Sequence, residues 1–388
     1  MNALPPHFTL LQVIPSLDIG GAEQSTLDVA AAVVRAGGRA IVASAGGGME
    51  ARLTQTGAEL VTMPVQSKNP LVMIANARAL ARLIRKEKVS VVHVRSRAPA
   101  FSALWAARRT HTPVLATYHG IYKSNSPLKR WYNGVMTRGD RVIANSAYTR
   151  THLLSQHRGL DAAKVIAIPR GVDMDYFDPA AVGPERLEAL RERWRLDPAD
   201  HRVKLILAGR LTRWKGQRLA IEALARLKAR GVDNVLLLLV GDSQGRMNYL
   251  AELEAAVRLL GMDSQVRILG ACTDMPAAYL LGDIALAPSL EPEAFGRTGV
   301  EPQAMGRPVI AADHGATRET VAPGETGWLA APGDVEAWTQ ALGDAIHAGP
   351  ERLAAMGAAA QARTRDLYSV TTMTDATLGV YRTLIGYS

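Results

Sequence analysis

Short apolar runs alternate with amphipathic stretches along the whole chain, and that rhythm leaves few folds open. In the first half the runs are Thr9–Pro15, Ala40–Ser44, Leu60–Pro64, Val89–Val94, Val114–Tyr118, Arg141–Asn145 and Val165–Pro169. In the second half they are Lys204–Ala208, Val235–Val240, Val266–Leu269, Ile284–Pro288 and Val309–Ala312. Near-continuous apolar runs of this length read as strands buried on both faces. Strands separated by helical patterns imply parallel sheets with helices on both sides. The 388 residues exceed one ordinary domain and suit two of about 150–200 residues each. A hydrophobic content of 48% supplies two cores. The polar, proline-containing stretch Asp173–Arg186 is the natural boundary, which gives domains over 1–178 and 179–369. Two doubly wound domains with a cleft between them follow, with ligands expected at the C-terminal ends of the strands. The last helical pattern, Thr372–Ile385, follows a helical region that starts near Glu351, and either domain can hold it.

Bulk properties exclude several classes. The single cysteine, Cys272, rules out an intramolecular disulfide and suits a reducing cytoplasm. The N-terminal MNALPPHFTLLQVIP lacks a basic start and is interrupted by Pro5, Pro6 and His7, which argues against a signal peptide. No stretch approaches 18 uninterrupted apolar residues, so no spanning helix is expected. The net charge of +9 is uneven: residues 1–180 hold 22 Lys and Arg against 11 Asp and Glu, and the remainder holds 23 against 25. A basic half beside a near-neutral half points to an anionic surface or substrate.

The most informative local pattern lies between Ser289 and Pro308, where Glu293 and Glu301 are separated by seven residues. Glu293 follows a buried strand, and Glu301 sits about two turns further on, in a helix that begins near Gly296. Between them the N–H groups of Phe295, Gly296 and Arg297 are free at a helix N-terminus, which attracts anions. Two carboxylates suit sugar hydroxyls and free amides suit a phosphate, so the segment fits a sugar nucleotide.

This segment resembles the Glu-x7-Glu signature of retaining glycosyltransferases with the GT-B fold, specifically glycosyltransferase family 4. AGRLTRWKGQ (Ala208–Gln217), DIGGAEQST (Asp18–Thr26) and IPRGVDMDYFDP (Ile168–Pro179) are similar to three further segments of that family, in the right order. The resemblance implies two Rossmann-like domains that face each other across a cleft, with the terminal helix, about 370–388, packed back on the first. It places Arg210 and Lys215 on the donor's diphosphate, where two cations stabilise the charge left by the departing sugar. No obligatory metal or other cofactor is then needed. It puts His119 beside the transferred sugar, Glu293 on that sugar's hydroxyls and Glu301 on the ribose. Gly20 and Gly21 form the first glycine-rich loop, where backbone approaches phosphate. Gly241 belongs to the second-domain loop near the nucleotide. Thr298 and Gly299 occupy positions more often aliphatic in the family, and Arg170 stands where Asn is common.

Plainer readings exist for each residue taken alone. Arg210 and Lys215 can be solvated cations on a turn, and Arg213 and Arg218 read that way. His119 can be a packing histidine. Gly20-Gly21 and Gly241 can be tight turns. Glu301 can lie on a helix surface, and Glu293 can cap the next helix. His93, with Arg95 and Arg97, can bind an anionic acceptor or simply be solvated. The helix over Pro70–Lys88 sets Arg78, Arg82, Arg85 and Lys86 against Leu80, Leu83 and Ile84, a basic amphipathic pattern. Lys123, Lys129 and Arg130 beside Trp131 and Tyr132 form a second cluster suited to an anionic membrane. Nucleic acid is the weaker partner, because no nucleic-acid motif accompanies the charge. The expectation is a hexosyltransferase that uses a UDP- or GDP-sugar on a glycolipid or oligosaccharide acceptor, such as lipopolysaccharide core. It would be cytoplasmic and peripheral at the inner face of the cytoplasmic membrane. A GT-B sugar-nucleotide epimerase and an inactive nucleotide-sugar binder are the alternatives.

Overall fold

The computed structural model describes residues 3–18, 20–122 and 126–387. Two compact units share the chain. Unit 1 comprises Met1–Gly171 and Val370–Ser388, and unit 2 is Val172–Ser369. The break thus precedes the expected 178/179 boundary. The residues that cross over are held by apolar contacts: Val172 and Phe177 are buried in one cluster with Trp194, Tyr279 and Tyr368.

Unit 1 is built on a seven-stranded parallel sheet, β1 (Thr9–Val13), β2 (Arg39–Ser44), β3 (Glu59–Thr62), β4 (Val91–Val94), β5 (Val114–Tyr118), β6 (Arg141–Ala144) and β7 (Val165–Ala167), in the order 3-2-1-4-5-6-7. Unit 2 has six parallel strands, β8 (Val203–Ala208), β9 (Val235–Val240), β10 (Val266–Ile268), β11 (Ile284–Ala287), β12 (Val309–Ala312) and β13 (Gly327–Ala330), in the order 10-9-8-11-12-13. In both, the strand order reverses beside the first strand of the unit. The crevice outside the C-terminal ends at that reversal is where such sheets bind ligands.

Alternation along each strand feeds two cores. Leu205 and Leu207 of β8 enter one cluster, and Ile206 and Ala208 enter the cluster on the opposite face. The helix Val370–Leu384 belongs to unit 1, where Met373, Leu378, Val380 and Tyr381 join Phe8, Leu10 and Leu27. Strand β13 has no counterpart among the expected strands. Its four residues include Gly327, where a Cβ would overlap the carbonyl oxygen of Val309 on β12. The glycine that weakens the local strand signal is the one that admits the pairing.

Candidate active site

In unit 2 the reversal lies between β8 and β11, and the loops after these two strands carry most of the candidate residues. The β8 loop turns through a short 3₁₀ segment, Arg213–Lys215, and then Gly216 at φ +76° opens the helix Gln217–Ala229. A side chain at Gly216 would overlap the carbonyl oxygen of Pro288, so glycine is required both by conformation and by the close approach of the two loops. The N–H of Leu290 donates to the carbonyl of Trp214 at 2.6 Å and stitches them together.

This stitching brings Lys215 to Glu293. Their ion pair measures 2.5 Å, and the side chains are only 11% and 13% exposed. The Ser289 hydroxyl donates to the same carboxylate oxygen at 2.7 Å. Lys215 Nζ also lies 4.5 Å from the centroid of the Trp214 ring. The loop after β12 backs Glu293 from behind: Ala316 N–H donates to its carbonyl at 3.0 Å, and Gly315, at φ +64°, passes where a Cβ would crowd its backbone. His314 adds a bond from its ring to the carbonyl of Ser289 at 2.8 Å. Trp214, His314 and Gly315 carry no sequence signal of their own, because each reaches residues distant in the chain, whereas Ser289 acts on Glu293, four residues on.

The helix Arg297–Ala304 starts after Gly296, which sits at φ +80°. Its first N–H groups have no partner within the helix. The Phe295 ring is buried, 5.8 Å from that of Tyr368, so only its backbone is available to a ligand. Glu301 lies on this helix and is gripped by Arg297 at 2.9 Å and by the Tyr279 hydroxyl at 3.1 Å. Burial holds its carboxyl above the usual range, and the guanidinium of Arg297 acts against that shift. Arg210 is exposed and lines an open pocket of about 610 Å³ with Thr212, Trp214, Arg246 and Tyr249. Arg213 pairs with Glu252, and Arg218 with Glu222 at 2.8 Å. The N–H of Gly241 donates to Gly270 at 2.8 Å, and a Cβ there would overlap the carbonyl of Gly209. That glycine is accounted for by packing between the β8 and β9 loops, and its N–H is already engaged.

Unit 1 gathers a second set at the C-terminal ends of its strands. Gly20 precedes the helix Gly21–Arg35, and a Cβ on Gly21 would overlap the Arg170 guanidinium. Arg170, beyond β7, donates from one amino group to Nδ1 of His119 at 3.0 Å. Asn145, beyond β6, donates to the His119 carbonyl at 3.2 Å. Nε2 of His119 and Oδ1 of Asn145 are buried and have no hydrogen-bond partner among the described residues. Burial, then Arg170 and Arg95, hold the His119 imidazole well below its ordinary pKa.

His93 and its neighbours take another role. The His93 ring is fully buried between the Tyr381 hydroxyl at 2.6 Å and the Thr117 hydroxyl at 2.7 Å. Arg95 is buried against Gln12 at 2.8 Å, with its pKa lowered by burial to about 10. Arg97 stacks 3.8 Å from the Tyr122 centroid and donates to Asn133 at 2.6 Å. His93 and Arg95 are therefore internal ties within unit 1 and not solvated acceptor ligands.

The model of Glycosyltransferase Family 4 matches residues 19–176, and that of Glycosyl transferases group 1 matches residues 189–363. A GDP-mannose-dependent alpha-(1-6)-phosphatidylinositol monomannoside mannosyltransferase of Mycolicibacterium smegmatis is 31% identical over 295 residues, 73% of this chain and 74% of that protein. The chain belongs to glycosyltransferase family 4. A D-inositol 3-phosphate glycosyltransferase of Salinispora tropica is 32% identical over 239 residues, 59% of this chain and 48% of that protein. The match thus spans about half the length of that relative. A glycosyltransferase of Rickettsia africae superposes with a TM-score of 0.90 at 33% identity, over 99% of this chain and 100% of that one. Anabaena HepE, solved with UDP and glucose, gives a TM-score of 0.81 at 25% identity, over 97% of this chain and 100% of that one. The two Rossmann-like units are those of the GT-B fold.

Proposed function

We propose that this family 4 glycosyltransferase is a retaining, metal-independent enzyme. It moves a hexose-type sugar from a UDP- or GDP-sugar to a cell-envelope glycolipid. The observation that carries the reading is the Lys215–Glu293 pair at the strand reversal of unit 2, beside the N-terminus of the helix that bears Glu301 in its second turn. The amides at that terminus suit the diphosphate. Glu301 accepts ribose hydroxyls, and Glu293 accepts hydroxyls of the sugar. Lys215 has three donors, so it can hold Glu293 and a phosphate oxygen together. With Arg210 it stabilises the charge that grows on the leaving group. The bond from the anomeric carbon to phosphate breaks, and a bond to the acceptor oxygen forms on the same face. The acceptor proton passes to the departing phosphate. A relative that uses GDP-mannose and a neighbour that holds UDP and glucose support a nucleotide-sugar donor. The basic excess of unit 1 supports a phosphate-bearing lipid acceptor met at the inner face of the cytoplasmic membrane. No helix among the described residues is long and apolar enough to cross that membrane.

The test is a panel of UDP- and GDP-sugars, assayed for release of nucleoside diphosphate with and without EDTA. At least one donor should turn over, at a rate that chelation leaves unchanged. Loss of activity with EDTA and its return with magnesium would overturn metal independence.

A further inference from the structure

We infer that Arg170 is a positioning residue that locks His119 into one neutral tautomer, with its proton on Nε2 held out as a hydrogen-bond donor to a sugar hydroxyl oxygen. The inference rests on the transferase reading above. A guanidinium only donates and does not lose its proton in proteins. The 3.0 Å contact from Arg170 to Nδ1 therefore obliges Nδ1 to accept. A neutral ring that accepts at Nδ1 carries its hydrogen on Nε2. That atom is buried and unpartnered among the described residues. Buried donors in native proteins have partners, so one left open is a place for a ligand atom.

The rest of the site fixes the geometry. Arg170 also reaches the His119 carbonyl at 3.4 Å, so it grips both ring and backbone. Asn145 holds the same carbonyl at 3.2 Å. Gly21 lies against the other amino group of Arg170, where any side chain would displace it. The glycine-rich loop and Arg170 thus form one device. A ring with Nε2 protonated and Nδ1 facing a cation cannot take up a further proton. His119 is then a fixed donor and no general base. The other charged or titratable groups around the ring are Arg95, His93 on β4, and Tyr122 beyond β5.

The test uses full-length protein labelled with ¹⁵N-histidine. Wild type should show His119 protonated at Nε2 only, with no titration between pH 5 and 8. Arg170→Met should raise the pH at which the ring takes up a proton, with burial and Arg95 still holding it below the ordinary value, and should populate the other tautomer. Its kcat with UDP-glucose or GDP-mannose should fall about tenfold or more, with UDP and GDP affinity unchanged. Arg170→Lys should restore most of both properties, and Gly21→Ala should reproduce the Met variant's titration by displacing the guanidinium. A wild-type His119 protonated at Nδ1, or an Arg170→Met enzyme with unchanged titration and kcat, would overturn the inference. Failure of the transferase reading shows separately, as absence of UDP and GDP binding, and the NMR spectra still decide the tautomer.

Discussion

Lys215 and Arg210 differ in a way that separates stability from catalysis. Each replaced by Ala should lower kcat/KM by about 10²-fold or more, through loss of a charge aimed at the leaving group. Arg210 is exposed, so its removal should leave Tm unchanged. Lys215→Ala strands the largely buried Glu293 carboxylate, at a cost of up to about 3 kcal/mol. Lys215→Met with Glu293→Gln should recover most of that stability and none of the activity, which urea unfolding beside donor kinetics would check. Equal kinetics for wild type and both alanine variants would remove these residues from the diphosphate. A second residue-level expectation concerns His93, whose pKa burial, then Arg95 and His119, depress well below the ordinary value. In the unfolded chain it titrates near 6.5, so below that pH the unfolded state binds the extra proton. Stability should be full above about pH 6.5 and fall as pH drops, by up to about 1.4 kcal/mol per unit for this group. Urea midpoints at pH 7.5 and 5.5 should separate, and His93→Gln should narrow the gap. A gap of the same size in the variant would assign the acid sensitivity elsewhere.

The helix Val370–Leu384 is distant in sequence from everything it packs on. Tyr381 sits 5.8 Å from the Phe8 ring and bonds His93, while Met373 and Leu378 fill the same cluster. Removal of residues 370–388 would expose that face of unit 1 and leave His93 without one partner. The shortened chain should lose cooperative unfolding of unit 1 and bind the dye ANS, whereas a soluble, cooperatively folded product would show that unit 1 holds without it. The sequence made the strand positions legible because each buried run is local. The helix that carries Glu301 was legible too, through its spacing from Glu293. Strand β13 was not, since a four-residue run with a leading glycine becomes a strand only against β12. Nor was the true unit boundary, which depends on Val172 and Phe177 meeting Trp194 and Tyr279. The Lys215–Glu293 pair joins residues 78 positions apart, and the Arg170–His119 contact spans 51. Spacing within a motif does not encode either one.

Charge divides between the units more sharply than between the halves of the sequence. Unit 1 carries 23 Lys and Arg against 9 Asp and Glu, a net +14; unit 2 carries 22 against 27, a net −5. Part of the excess lies on the helix Pro70–Lys86, where Arg78, Arg82 and Arg85 are exposed. At 100° per residue these three share one face with Leu71 and Ile74, which are 77% and 48% exposed. Leu80 and Ile84 are buried on the other side. An outward face with apolar residues at one end and cations at the other suits an anionic leaflet. The helix Pro127–Asn133 repeats the mixture with exposed Leu128, Lys129, Arg130 and Trp131; Lys123, of the same sequence cluster, lies outside the described residues. Vesicles that contain acidic lipid should therefore bind the protein, and neutral ones should not. Binding should weaken as the Debye length falls from about 10 Å at 0.1 M salt to about 3 Å at 1 M. Replacement of Arg78, Arg82, Arg85 and Lys86 by Gln should reduce flotation with acidic vesicles, by about 1 kcal/mol for each residue at the surface. Release of nucleoside diphosphate from a soluble donor should be unaffected, because none of the four belongs to either set of site residues. Equal flotation of wild type and variant, or none at low salt, would assign these cations to water and leave the excess charge of unit 1 to a soluble phosphorylated acceptor.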